Sequence, residues 1–172
     1  MALASIILAF VALQRGAELI YSSRNAARLR QRGGIEFGRG HYPFMVLLHA
    51  AWLVAMAIGI WRDPIVRTVP LAIYAVLQIL RVWVLATLGP FWTTRVISVP
   101  GALLVLRGPY RFVRHPNYVV VIAEVATLPL VFGQVTNALV FSALNLAIIA
   151  WRIRIENAAL APRRTASGRS LA

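Results

Sequence analysis

The chain has 172 residues, 60% of them hydrophobic and 13% charged, with no cysteine and a formal net charge of +13. The length fits one domain, the composition is too apolar for an ordinary soluble protein, and the missing cysteine excludes disulfide frameworks, thiol nucleophiles, thiolate metal sites and palmitoylation anchors. The positive charge is carried entirely by arginine, and these arginines cluster just outside long apolar runs, where the positive-inside rule places cytoplasmic residues, so the charge reads as membrane topology and not as nucleic-acid binding.

Apolar runs of roughly 20 residues are long enough to cross a bilayer. They predict an all-α, polytopic integral membrane protein of about five transmembrane helices. The opening MALASIILAFVAL lacks a basic n-region and a small-residue cleavage site, so it reads as a retained first helix. That helix is predicted over residues 2–32, its second half a polar amphipathic extension stopped by Gly33-Gly34. A second is predicted over 42–61, with Pro43 in its first turn, and a third over 69–88. From Gly89 to Pro116 repeated proline and glycine break the pattern, which predicts a long interfacial connection. Within it Val96 to Leu106 is too short to span and reads as a surface or re-entrant stretch. Helices over 116–132 and 137–160, turned by Gly133-Gln134, are predicted as a short hairpin that returns to its starting side. Residues 1–161 then form a single membrane domain, and 162–172 a disordered basic tail.

All of the 18 arginines except Arg15, Arg62, Arg67 and Arg81 fall on one side of this arrangement. The bias puts the N-terminus outside the cell membrane and the Pro/Gly-rich segment and C-terminus in the cytoplasm.

Ionisable groups inside membrane spans are costly, so each is a functional candidate. Those within or near the spans are Arg15, Glu18, His49, Arg81, Glu124 and Glu156. Arg15 and Glu18, three apart, can pair on one helix face. His49 has no second histidine at i+3 or i+4, so it reads as hydrogen-bonded structure and not as a haem or metal ligand. No metal site is expected. Glu18, Arg81 and Glu124 are candidates to orient an acceptor substrate, or else to satisfy one another in helix packing.

The densest constellation is GPYRFVRHPNY at 108–118, followed by Glu124 and by Arg152, Arg154 and Glu156. Arg114 and His115 can bind a carboxylate or phosphate, Glu156 an ammonium or ribose hydroxyls, and the tyrosines can face a cation. Such a set suits a zwitterionic or anionic cofactor. The competing reading is a basic loop against lipid headgroups.

GPYRFVRHPNY together with RIRIENAAL at 152–160 resembles the isoprenylcysteine carboxyl methyltransferase family of integral-membrane methyltransferases. QRGAELIYSSRNAARL at 14–29, EFGRGHYP at 36–43 and RVISVPG at 95–101 are similar to a bacterial branch associated with type III polyketide synthases, whose members methylate alkylpyrones or alkylresorcinols. The resemblance implies a five-helix enzyme that uses S-adenosylmethionine to methylate a carboxylate or hydroxyl of a lipophilic acceptor. It further implies that Tyr110, Arg114, His115, Pro116, Asn117 and Tyr118 line the cofactor site, closed by Arg152 and Glu156. Where the family usually has a second acid after Glu156, this chain has Asn157.

Methyl transfer from a sulfonium calls mainly for in-line positioning and desolvation. Cofactor is expected to enter from the cytoplasm and acceptor from the lipid, through helices two to four. A reductase related to the membrane sterol reductases, using a nicotinamide cofactor, and a non-catalytic lipid-binding protein are the alternatives.

Overall fold

A computed structural model describes residues 1–166, with side chains described through Pro162. Five helices carry most of it: α1 (Ala2–Gln31), α2 (His41–Arg62), α3 (Thr68–Leu88), α4 (Pro116–Val131) and α5 (Val135–Ala166). Four are long and apolar enough to cross a membrane, and α4 is a shorter apolar helix. The chain is an all-α polytopic membrane protein.

The 30 residues of α1 extend about 45 Å at 1.5 Å per residue, well beyond a hydrocarbon layer of about 30 Å. Its C-terminal turns therefore project past the apolar zone, and Arg28 and Arg30 in its last turn complement the negative end of the helix dipole. The helix stops where expected. Gly33 takes φ 78°, and the Gly34 amide returns to the Leu29 carbonyl at 2.8 Å, the paired closure that only a left-handed residue makes cheaply.

At the opposite end of the molecule lies the apolar core. Trp52, Met56 and Ile60 of α2 meet Ala4 and Val11 of α1, Tyr74 of α3, and Val125, Leu128 and Val131 of α4. Spacing of four residues puts the α2 trio on one stripe, while Leu47, Val54, Ile58 and Trp61 on its other side are exposed, as a bilayer-facing surface requires. With 16 residues, α4 is about 24 Å long and packs between α3 and α5.

Three expectations change. The last helix is not short: α5 has 32 residues and runs through Pro162 to Ala166, because Ala158–Ala161 are good helix formers and nothing before Pro162 breaks the pattern. The first residues of the expected tail are thus helical, and 167–172 lie outside the described residues. The stretch at 96–106, expected as a surface or re-entrant segment, begins with a strand that its sequence did not suggest. Val96–Ser98 (β2) instead pairs antiparallel with Ile35–Phe37 (β1), Glu36 opposite Ile97.

That two-stranded clip ties the α1–α2 connection to the α3–α4 connection. Both connections, the start of α4 and the end of α5 consequently converge at one end of the bundle.

Candidate functional site

At that end, α5 presents Arg152 and Glu156 one turn apart, a spacing that places both on one helix face. Tyr118, in the first turn of α4, links them. Its hydroxyl accepts from Arg152 Nε at 2.7 Å and donates to the Glu156 carboxylate. The His115 ring stacks on Tyr118 with centroids 5.4 Å apart, its Nδ1 3.7 Å from Glu156 Oε1 and its Nε2 3.2 Å from Asn157 Oδ1. Asn157 thus supports the same imidazole as its acidic neighbour.

Arg152, only 5% exposed, also donates to the Thr94 carbonyl and to His41 Nε2 at 3.2 Å. One guanidinium therefore joins α2, the α3–α4 connection, α4 and α5, and its charge is met by the Glu156 carboxylate through one phenol.

This polar strip forms one wall of a cavity of about 170 Å³. Tyr110, Arg114, His115, Asn117, Tyr118, Arg152 and Glu156 all line it, with Trp92, Arg95 and the apolar run Leu104–Leu106. Trp92 is positioned from α1: Asn25 Nδ2 donates to the Trp92 carbonyl at 2.9 Å and to the Gly89 carbonyl at 3.1 Å, and Tyr21 stacks on the indole at 5.9 Å. Burial and the nearby Glu156 carboxylate hold the Tyr110 phenol above its ordinary range, so it faces the cavity neutral.

Arg95 is fixed from the other connection. Glu36 accepts from it at 2.7 Å and from Arg30 at 2.6 Å, while the Arg95 guanidinium lies 4.1 Å over the Tyr42 ring. Burial alone would push the Glu36 carboxyl up, but hydrogen bonds from Arg30 and Arg95 outweigh it and hold the group below the usual 4.5.

A second, largely apolar cavity of about 330 Å³ lies between α1, α2, α4 and α5. It meets the first at Trp92, Thr93, Asn117, Tyr118 and Arg152, which line both. Leu53, Val121 and Ile149 are among its apolar walls, and Arg15, Glu18, Arg81, His49 and Asn145 add polar groups.

Beside it sits a compact buried network. Arg81 binds Glu18 through Nε at 2.5 Å and Glu124 through Nη1 at 2.7 Å. Arg15 reaches Glu18 at 2.9 Å and Glu124 at 3.1 Å. Gln78 donates to Glu124 at 2.8 Å and accepts from Gln14 at 2.8 Å. These two arginines and two glutamates cancel in charge, the arrangement that makes ionised groups tolerable at membrane depth.

Of the residues singled out in the sequence for a cofactor, one falls elsewhere. Pro116 is buried at the head of α4 and sets the direction of that helix without lining the cavity. Glu18 and Arg81 line the second cavity, but Glu124, 2% exposed, is enclosed by Arg15, Arg81 and Gln78 and faces neither space. The wall of the apolar cavity draws on α1 and α5 as well as on helices two to four, with Arg81 the residue from α3. His49 Nδ1 donates to the Met45 carbonyl, 2.8 Å away, as a structural histidine would. Sequence reasoning missed His41, Glu36, Trp92 and Asn145. EFGRGHYP contained the first two, but their partners Arg95 and Arg152 are 59 and 111 residues distant.

Residues 69–162 match the model of the isoprenylcysteine carboxyl methyltransferase family. Among curated proteins, YpbQ of Bacillus subtilis strain 168, described as uncharacterized, is 36% identical over 161 residues, covering 90% of this chain and 95% of that protein. An uncharacterized protein of Haemophilus influenzae strain Rd is 26% identical over 147 residues, covering 83% of this chain and 86% of its own. No solved structure matches the chain at a significant level.

Proposed function

The chain belongs to the isoprenylcysteine carboxyl methyltransferase family, and from that membership we propose that it transfers a methyl group from S-adenosylmethionine to a carboxylate or hydroxyl oxygen of a lipophilic acceptor. The observation that carries the reading is the pair of cavities, one polar and at the loop end, one apolar and between helices, with a common wall at Trp92, Thr93, Asn117, Tyr118 and Arg152. A water-soluble donor and a membrane-dissolved acceptor need two such approaches that meet at one point.

The donor set of the first cavity fits an amino-acid sulfonium nucleoside. Arg114 and His115 offer cationic or N–H contacts for a carboxylate, Glu156 an acceptor for ammonium or ribose hydroxyls, and Trp92, Tyr110 and Tyr118 aromatic faces for a base or a sulfonium. Bound there, S-adenosylmethionine would supply an electrophilic methyl whose S–C bond breaks as the O–C bond forms, leaving a neutral thioether. The protein's part is positional. Tyr118, held between Arg152 and Glu156, cannot swing, so the wall where the cavities meet is rigid. Leu104–Leu106 supply apolar wall on the loop side and Leu53, Val121 and Ile149 on the helix side, and an acceptor oxygen desolvated between them would keep its nucleophilicity.

The acceptor is an isoprenoid or polyketide-type lipid in this reading, with the cofactor arriving from the cytoplasm. The test is S-adenosylmethionine binding to protein in nanodiscs. Saturable binding is expected, weakened at least tenfold, or about 1.4 kcal/mol, in His115→Ala and in Glu156→Ala, with both variants folded. Unchanged affinity in both variants rejects the site. Absence of binding by folded wild-type protein rejects the cofactor and turns attention to nicotinamide nucleotides.

A further inference from the structure

The turn that carries Tyr110 into the first cavity also has residues that do not line it: Arg107, Arg111, Phe112 and Val113 stay outside. Phe112 is 71% exposed and Val113 47%, and both arginines beside them are exposed. The Arg111 guanidinium lies 4.8 Å from the centre of the Phe112 ring, so a charge and an aromatic face are presented together. Among the described residues no acidic side chain meets either arginine. Of the five acids in the chain, Glu18 and Glu124 are held by Arg15 and Arg81, Glu36 by Arg30 and Arg95 and Glu156 by Tyr118. The fifth, Asp63, caps α2 at the other end of the bundle.

Two helices fix the depth of this turn. Along α3, Thr87 follows Thr68 by 19 residues, about 29 Å at 1.5 Å per residue, close to the thickness of a hydrocarbon layer. Arg67 caps the start of α3, so with that charge at one boundary Thr87 reaches the other. Gly108 packs there, where a Cβ would stand 2.6 Å from Thr87 Oγ1. α4 leaves the same boundary as Arg67, whose amide donates to the Val131 carbonyl at 2.7 Å. About 24 Å long, α4 falls short of a layer about 30 Å thick even when upright. The residues leading into Pro116 therefore begin within reach of the acyl chains.

We propose that residues 107–113 form a lipid-binding anchor, in which Phe112 and Val113 enter the boundary between headgroups and acyl chains and Arg107 and Arg111 bind the phosphates of anionic phospholipids. Apolar side chains beside arginine at an interface gain from burial and from charge together, and a guanidinium suits a phosphate through paired N–H donors. Anionic lipid is favoured over zwitterionic because a choline or ethanolamine headgroup would bring its own cation to a place that already holds two and no acid. The anchor does not depend on what the cavities bind. Because Tyr110 belongs to the same turn and lines the first cavity, the anchor fixes part of that cavity's wall to the leaflet.

The chain has no cysteine, so the full-length Val113→Cys protein carries a single environment-sensitive fluorophore. It is placed in phosphatidylcholine vesicles that contain a trace of spin-labelled lipid, and quenching is read. Phosphatidylcholine labelled near the glycerol end of its acyl chain is expected to quench at least twofold more than the same lipid labelled near the methyl end. Phosphatidylglycerol with the shallow label is expected to quench at least twofold more than phosphatidylcholine with that label. In the added double substitution Arg107→Gln and Arg111→Gln this preference falls to near parity, while shallow phosphatidylcholine still quenches, which reports that the turn keeps its place. If the double variant does not fold, each single substitution is read in the same way. A fluorophore reached by a water-soluble quencher and by neither lipid label overturns the proposal, as does equal quenching by the two headgroups. A preference that survives the substitutions belongs to the general charge of this end of the molecule and overturns it too.

Discussion

The side chain of Arg81 is 6% exposed and its guanidinium touches both Glu18 and Glu124, so its role is decided by what its loss would leave behind. Arg81→Met removes one of two cations facing two buried carboxylates, and a broken buried ion pair costs about 3–5 kcal/mol because the surviving charge is uncompensated. A large fall in the thermal midpoint of the detergent-solubilised protein is the expected result. Arg81→Met combined with Glu18→Gln restores charge balance and should recover much of it; a single variant as stable as wild type would show that the network carries little energy. Tyr118 poses a different case. Its hydroxyl both accepts from Arg152 and donates to Glu156, so Tyr118→Phe removes one hydrogen bond from each of two charged groups with one missing atom.

The short connecting elements carry as much of the site as the helices do. Gly108 opens the turn that delivers Tyr110 to the first cavity, with φ 56°, and a Cβ there would stand 2.6 Å from Thr87 Oγ1 of α3. Gly108→Ala therefore incurs both backbone strain, about 1–3 kcal/mol, and a collision. It should lower stability and weaken S-adenosylmethionine binding together, as a melting curve and a titration on one sample would show. The β1–β2 clip depends on Glu36, whose carboxyl is held below 4.5 by Arg30 and Arg95 after burial is overcome. A depressed folded-state pKa contributes stability that is present above the unfolded value of about 4.5 and is lost as pH falls through the folded one. Acidification below pH 4.5 should thus loosen the clip before neutral-pH changes do anything. Glu36→Gln should flatten that part of the stability profile; an identical acid limb in the variant would assign it to another carboxylate.

For the molecule as a whole, the arginine-rich end and the site end coincide: Arg28, Arg30, Arg95, Arg111, Arg114 and Arg152 all belong to the elements that converge there, while Arg62 and Arg67 flank the opposite turn. Positive residues favour the cytoplasmic side, so the cofactor cavity is proposed to open to the cytoplasm. The chain contains no cysteine, and a single introduced one therefore reports its own location. Arg111→Cys is expected to react with a membrane-impermeant maleimide only in inverted vesicles, and Asp63→Cys only in right-side-out cells. The reverse pattern would invert the topology and place the cavity outside.

The sequence by itself determined that this is a polytopic helical membrane protein, where most of its helices lie to within a few residues, and that Arg152 and Glu156 share one helix face. Those properties are local: apolar run length sets a span, proline and glycine end it, and Arg152 and Glu156 share a face through helical period alone. Tertiary structure decided what depends on distant partners. Val96–Ser98 becomes a strand only because Ile35–Phe37 lies beside it, and Glu124 pairs with Arg15, Gln78 and Arg81 only because α1 and α3 pack against α4 at that depth.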